Sequence, residues 1–136
     1  MQFFPKKSSF KKHQRGSIPS RVAKVLTVAD YSEKSVCLRS TSFGLLTSAN
    51  IACFYGTVKK YIKKRGILTL SVFPQTIITR KSAGVRMGKG KGSPCGWVAR
   101  INSGTCLLKV RGANPVLARK ALSIASKKIP LSTKIV

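Results

Sequence analysis

The chain has 136 residues, of which 27 are Lys or Arg and only 2 are acids, a formal net charge of +25. This length suits one domain, and 43% hydrophobic residues supply a modest core, but no apolar run approaches the roughly 18 residues of a membrane span. Solubility alone needs a net charge of only about 2–8, and a chain with so little internal counter-charge repels itself when compact. The composition therefore points to a bound polyanion, RNA or DNA, whose phosphates release counterions on binding.

Residues 1–20 show no apolar periodicity and are broken by Gly16, Pro19 and serines. The opening Met1-Gln2-Phe3-Phe4-Pro5 lacks the hydrophobic core of a signal peptide. Lys6, Lys7, Lys11, Lys12, His13 and Arg15 make this stretch a basic arm, expected to be irregular, flexible until bound and in contact with RNA. Residues 21–136 form the expected single α+β domain.

Two short β-like runs, Val22 to Val28 and Val36 to Leu38, flank a turn holding both acids, Asp30 and Glu33. Residues 47–65 read as a helix with Thr47 as N-cap and Gly66 as its stop. Ile51, Tyr55, Val58 and Ile62 fall within an arc of about 60° on its wheel. Lys60, Lys63 and Lys64 take the far side, with Lys59 on its edge. A solvated face is the bland reading of these lysines; with this net charge, RNA contact is the expected one.

Residues 67–73 alternate as a half-buried strand ended by Pro74, and 76–79 make another. Gly84 to Gly96 read as a long loop. Trp97 to Ile101 and Thr105 to Val110 flank Asn102-Ser103-Gly104, which predicts a hairpin. Asn114-Pro115 opens a second helix whose buried stripe is Leu117, Ala118, Ala121, Ile124 and Ala125. Pro130 stops it, and Leu131 to Val136 read as a last strand. The expected architecture is an antiparallel sheet with two helices on one face.

The parts for catalysis are scarce. Two carboxylates in a turn cannot hold two metals and also supply a base, and the only histidine, His13, lies in the arm. The cysteines, at 37, 53, 95 and 106, have no CxxC spacing, so neither a zinc site nor any cofactor is expected, and free thiols, buried or neutral, are the reading. The most informative segment is Val85-Arg86-Met87-Gly88-Lys89-Gly90-Lys91-Gly92. Glycines permit close backbone approach to a phosphate, and interleaved lysines add charge there. A nucleotide-binding loop fails in detail, because Gly92 stands where the P-loop requires Ser or Thr. Together with Arg80 and Lys81, the loop is expected to grip RNA.

The stretch from Leu46 to Gly92 resembles the L-sixteen family of large-subunit ribosomal proteins. The helix from Leu46-Thr47 to Lys64-Arg65-Gly66, then Val72-Phe73-Pro74, Ile77-x-Thr79-x-Lys81 and the glycine-lysine loop carry the likeness. Trp97-Val98-Ala99, Leu117-Ala118-Arg119, Lys128-x-Pro130 and the arm's Pro5-Lys6-Lys7 and Phe10-Lys11-Lys12 extend it. The resemblance implies an α+β protein without catalytic activity. It would sit on large-subunit rRNA near the aminoacyl-tRNA site and the peptidyl-transferase centre, with neighbouring ribosomal proteins and aminoacyl-tRNA close by. No membrane and no homo-oligomer are expected. Few acids and many Ser, Ile, Phe and Cys look like a divergent organelle-encoded copy, and the likeness favours mitochondria, with plastid or bacterial ribosomes as the alternative. The competing class is a free basic nucleic-acid-binding regulator, for which no helix-turn-helix, zinc finger or RNP motif is present.

Overall fold

The structure, a computed structural model, describes residues 3–5, 10–14, 35–88 and 90–136. Among these the order is β1 (Ser35–Ser40), β2 (Gly44–Thr47), α1 (Ser48–Ile62), β3 (Ile67–Leu70), β4 (Thr76–Arg80), β5 (Ser93–Ile101), β6 (Cys106–Arg111), α2 (Pro115–Ser126) and β7 (Thr133–Ile135). The α+β class is as expected, but the strands divide into two antiparallel sheets instead of one. The four-stranded sheet runs β3-β6-β1-β7 and the three-stranded sheet β2-β5-β4. The run Val22–Val28 and the turn with Asp30 and Glu33 lie outside the described residues.

The division overturns the expected 97–110 hairpin. The turn does form, with the Thr105 N–H donating to the Asn102 carbonyl at 3.2 Å. Its two strands nevertheless part, β5 pairing with β2 and β4, and β6 with β1 and β3. Reversal of the chain is a local property of the turn; the choice of hydrogen-bond partner is not.

Helix α1 starts as read, with Thr47 accepting from the Asn50 N–H at 3.2 Å. It ends earlier, at Lys63, whose φ is +53° and whose N–H closes on the Lys59 carbonyl. Gly66 is therefore not the helix stop. It is needed because a Cβ there would lie 2.8 Å from the Ala113 Cβ and 2.9 Å from the Arg111 carbonyl oxygen. The buried face is Ile51, Phe54, Val58 and Ile62, with Tyr55 only half-buried. Phe54 occupies the place read for Tyr55, whose ring meets Phe3 edge-on at 5.7 Å.

Helix α2 is capped by Asn114, which accepts from the Val116 N–H at 3.0 Å. Its buried residues are Ala118, Ala121, Leu122 and Ala125, while Leu117 and Ile124 are half-buried. It ends at Ser126, ahead of Pro130, and a turn spans the gap, with Lys128 and Ile129 N–H groups bonded to Ala125 and Ser126. Helix α1 leans on β2 and β5, α2 on β1 and β7, and the helices pack on each other. The alanines of α2 allow this approach. One apolar core thus joins both sheets: Leu38, Leu46, Phe54, Ile101, Leu107, Leu108 and Leu122 are completely buried.

Candidate nucleic-acid interface

Strands β4 and β5 form the hairpin that places the glycine-lysine segment. Their register runs from Thr76 opposite Val98 to Arg80 opposite Ser93, so residues 81–92 are its tip. The loop read as 84–96 is thus displaced: Ser93 to Gly96 are strand, though exposed. At the bulge, Ile78 faces Gly96 and Thr79 faces Pro94, leaving Cys95 as the extra residue. Bulges of this kind bend a hairpin and re-aim its side chains.

The glycines of the loop have separate jobs. Gly92 closes the hairpin neck, since a Cβ there would sit 2.5 Å from the Arg80 carbonyl carbon and oxygen and 2.7 Å from the Lys81 nitrogen. That packing explains Gly92 without any ligand. Gly88 and Gly90 have φ of +93° and +78° with open space around them, so they set the path of the loop. Arg80, Lys81, Arg86, Met87 and Lys91 are all exposed, Met87 to 97%. Lys89 lies outside the described residues, as do Lys6, Lys7 and Arg15 of the arm.

The rest of the arm meets this loop. The Lys91 ammonium donates to the His13 carbonyl, and the Lys12 ammonium donates to the Lys91 carbonyl at 3.3 Å. The two bonds run in opposite directions between arm and loop, and no Asp or Glu occurs among the described residues to neutralise the two lysines. Phe3 holds the arm at a second point, buried in a groove lined by Tyr55, Leu68, Leu70, Val72 and Phe73. Residues 3–5 and 10–14 are irregular and touch the folded domain through Phe3, Pro5, Lys11, Lys12 and His13. Lys60, Lys63 and Lys64 are exposed on a different element, the C-terminal end of α1. Lys59 and Lys60 there complement the helix dipole.

Sequence reasoning missed a thiol pair on the four-stranded sheet. Cys37 stands opposite Lys109, and Cys106 opposite Arg39 on the neighbouring strand. The hydrogen bond from Cys106 lowers Cys37 from 9.0 to about 6, against its own burial and aided by Arg39 and Lys109. Cys106 is pushed up by the same partner and by burial, and its sulfur lies 4.0 Å from the Ser71 hydroxyl. The hydrogen bond thus shifts the two thiols in opposite directions, and Cys37 is a buried free thiol, within the expectation of buried or neutral thiols. Period-two alternation places Cys37 and Arg39 on one face, but the bulge between Leu38 and Arg39, which brings Cys106 in, carries no sequence signal. Cys53 and Cys95 are exposed free thiols. Among the described residues no three His, Cys, Asp or Glu gather as metal ligands, and no helix is long and apolar enough to cross a membrane.

Comparison with known proteins covers nearly the whole chain. Residues 5–136 match the pattern of the family described as ribosomal protein L16p/L10e. The large ribosomal subunit protein uL16c of Porphyra purpurea is 37% identical over 134 residues, covering 97% of this chain and 93% of its own. The large ribosomal subunit protein uL16 of Leptospira biflexa is 37% identical over 132 residues, covering 97% and 94%. With the basic arm fastened to the glycine-lysine hairpin, and with matches of this extent, the chain belongs to the ribosomal protein L16p/L10e family, whose members are structural proteins and not enzymes.

Proposed function

We propose that the chain is a structural constituent of the large ribosomal subunit that binds rRNA near the aminoacyl-tRNA site and the peptidyl-transferase region. The observation that carries this reading is the pair of bonds from Lys12 to the Lys91 carbonyl and from Lys91 to the His13 carbonyl, which joins arm and loop into one basic surface. Lys6, Lys7, Lys11, Lys12, His13, Arg15, Lys60, Lys63, Lys64, Arg80, Lys81, Arg86, Lys89 and Lys91 supply the contacts, chiefly to phosphates. RNA shape, not base sequence, is what such contacts recognise in a duplex. Gly88, Gly90 and Gly92 shape the loop that presents Arg86 and Met87, with aminoacyl-tRNA nearby. Neighbouring ribosomal proteins are the other partners, and the chain acts as a single copy. We assign it to the mitochondrial ribosome on its Ser-, Ile-, Phe- and Cys-rich, acid-poor composition.

Titration of an rRNA fragment against salt tests the reading. About six phosphate contacts or more give a log–log slope of about −4 or steeper. Arg86→Ala should weaken binding roughly tenfold, because its planar fork can hold a phosphate bidentately, while thermal unfolding is unchanged. Lys120→Ala, on α2, should weaken it less. A slope near zero, or a larger loss at Lys120 than at Arg86, overturns the assigned surface.

A further inference from the structure

A cavity of about 400 Å³ opens between the arm and the exposed half of β5. Pro5 and Lys11 line it on the arm side, and Ile77, Pro94, Gly96 and Trp97 on the hairpin side. We propose that this cavity receives one unpaired RNA base, stacked against Trp97, with the adjoining phosphate held by Lys11 and the Lys12–Lys91 pair. The proposal rests on the RNA-binding reading above and adds to its phosphate contacts a pocket for a base.

Four features of the chain converge there. The size lies within the range of small-ligand sites. Its lining joins an aromatic ring and two prolines, apolar faces suited to a planar base, to a lysine at the edge. Gly96 is the third feature: a Cβ there would meet nothing within 4 Å, and its φ is not in the left-handed region. Neither packing nor backbone conformation calls for glycine at 96, and glycine inside a strand weakens it. A close approach by a ligand does account for it. The fourth is the bulge at Cys95, which interrupts pairing beside the cavity.

The charge fits an RNA nucleotide. Lys11 is on the cavity wall, and the next residue, Lys12, is bonded to Lys91. No Asp or Glu occurs among the described residues to compete for these ammonium groups. Unpaired bases, unlike those inside an RNA duplex, can be splayed out and stacked on aromatic side chains.

Trp97 is the only tryptophan of the chain, so its fluorescence reports on the cavity directly. The test titrates the full chain, at submicromolar concentration in moderate salt, with a single-stranded oligouridine and with an RNA duplex of the same length. The single strand should quench Trp97 saturably, whereas the duplex should bind without comparable quenching. Gly96→Val puts a branched side chain on the cavity wall beside Trp97 and suits a strand; it should strongly reduce the quenching and lower single-strand affinity roughly tenfold, leaving duplex binding and its salt slope unchanged. Gly96→Ala should give an intermediate loss and carries the comparison if the valine variant does not fold. Equal quenching by the parent and both variants overturns the base pocket while leaving the phosphate reading intact. Loss of salt-dependent binding to both RNAs would overturn the two together.

Discussion

Strand β5 has two halves with opposite fates. Val98, Ala99 and Ile101 are buried between β2, β4 and α1, whereas Ser93, Pro94, Cys95 and Gly96 are exposed at the hairpin's outer end. The inner half pairs with β2, with Val98 also opposite Thr76 of β4, and its side chains complete the core. The outer half pairs with β4 alone across a bulge, and the basic arm lies beside it. A single strand therefore ties a hydrophobic anchor to a charged working end. Because the anchor is made of apolar packing and the tip of charge, each half can be damaged without the other.

The strongest way to break this separation is to attack the anchor. Phe54 is completely buried on α1, and Phe54→Ala should cost about 3–5 kcal/mol of stability. Denaturant unfolding measures it. If the loss is that large and the Arg86→Ala variant unfolds like the parent, the halves are energetically distinct; equal losses would refute the distinction.

Gly92→Ala probes the neck between the halves. Backbone atoms of Arg80 and Lys81 leave no room for its methyl group, and forcing it in should cost about 1–3 kcal/mol. Hydrogen exchange should show the loss of protection concentrated in β4 and the first half of β5, with β6 and β1 retained. Uniform loss over both sheets would mean that the hairpin and the core unfold as one unit.

The smallest effect concerns the thiol pair, which lies on the four-stranded sheet away from the hairpin. Cys37 in the fold, at about 6, binds its proton less tightly than in the unfolded chain, at 9.0. Its contribution to stability is complete above about pH 9 and disappears as pH falls through about 6. Cys106 shifts the other way, so above its ordinary range ionisation of the unfolded chain reduces stability. Unfolding free energy should therefore climb between about pH 6 and 9 and then decline. Cys106→Ala removes the hydrogen bond and should flatten the climb, a difference read from denaturant unfolding across pH; an unchanged climb would show that Arg39 and Lys109 alone lower Cys37.

The separate elements were largely legible in the residues. Thr47 and Asn114 cap the helices they were expected to cap, because an N-cap acts on amides two or three residues away. The helix faces differ from the expected ones at their edges, with Phe54 buried in place of Tyr55, and Leu122 buried where Leu117 and Ile124 are half-buried, since a wheel cannot tell which edge of an apolar arc meets a neighbour. The glycine-lysine segment is recognisable from composition, and its glycines are expected there for phosphate approach and positive φ, which Gly88 and Gly90 adopt. For Gly92 the cause is the Arg80 backbone across the hairpin, a contact formed only after β4 and β5 pair.

Charge, chain class, helix starts and the basic identity of arm and loop were thus determined by the sequence itself, because each depends on residue type or on groups a few positions apart. The tertiary structure alone decided that β5 and β6 separate into different sheets, that Lys12 reaches the Lys91 carbonyl across 79 positions, and that Cys106 comes to lie beside Cys37. Those outcomes depend on distant segments competing for the same backbone hydrogen bonds and the same apolar core. A turn can reverse the chain with three residues, but the partner each strand takes is set by what the whole fold leaves unpaired.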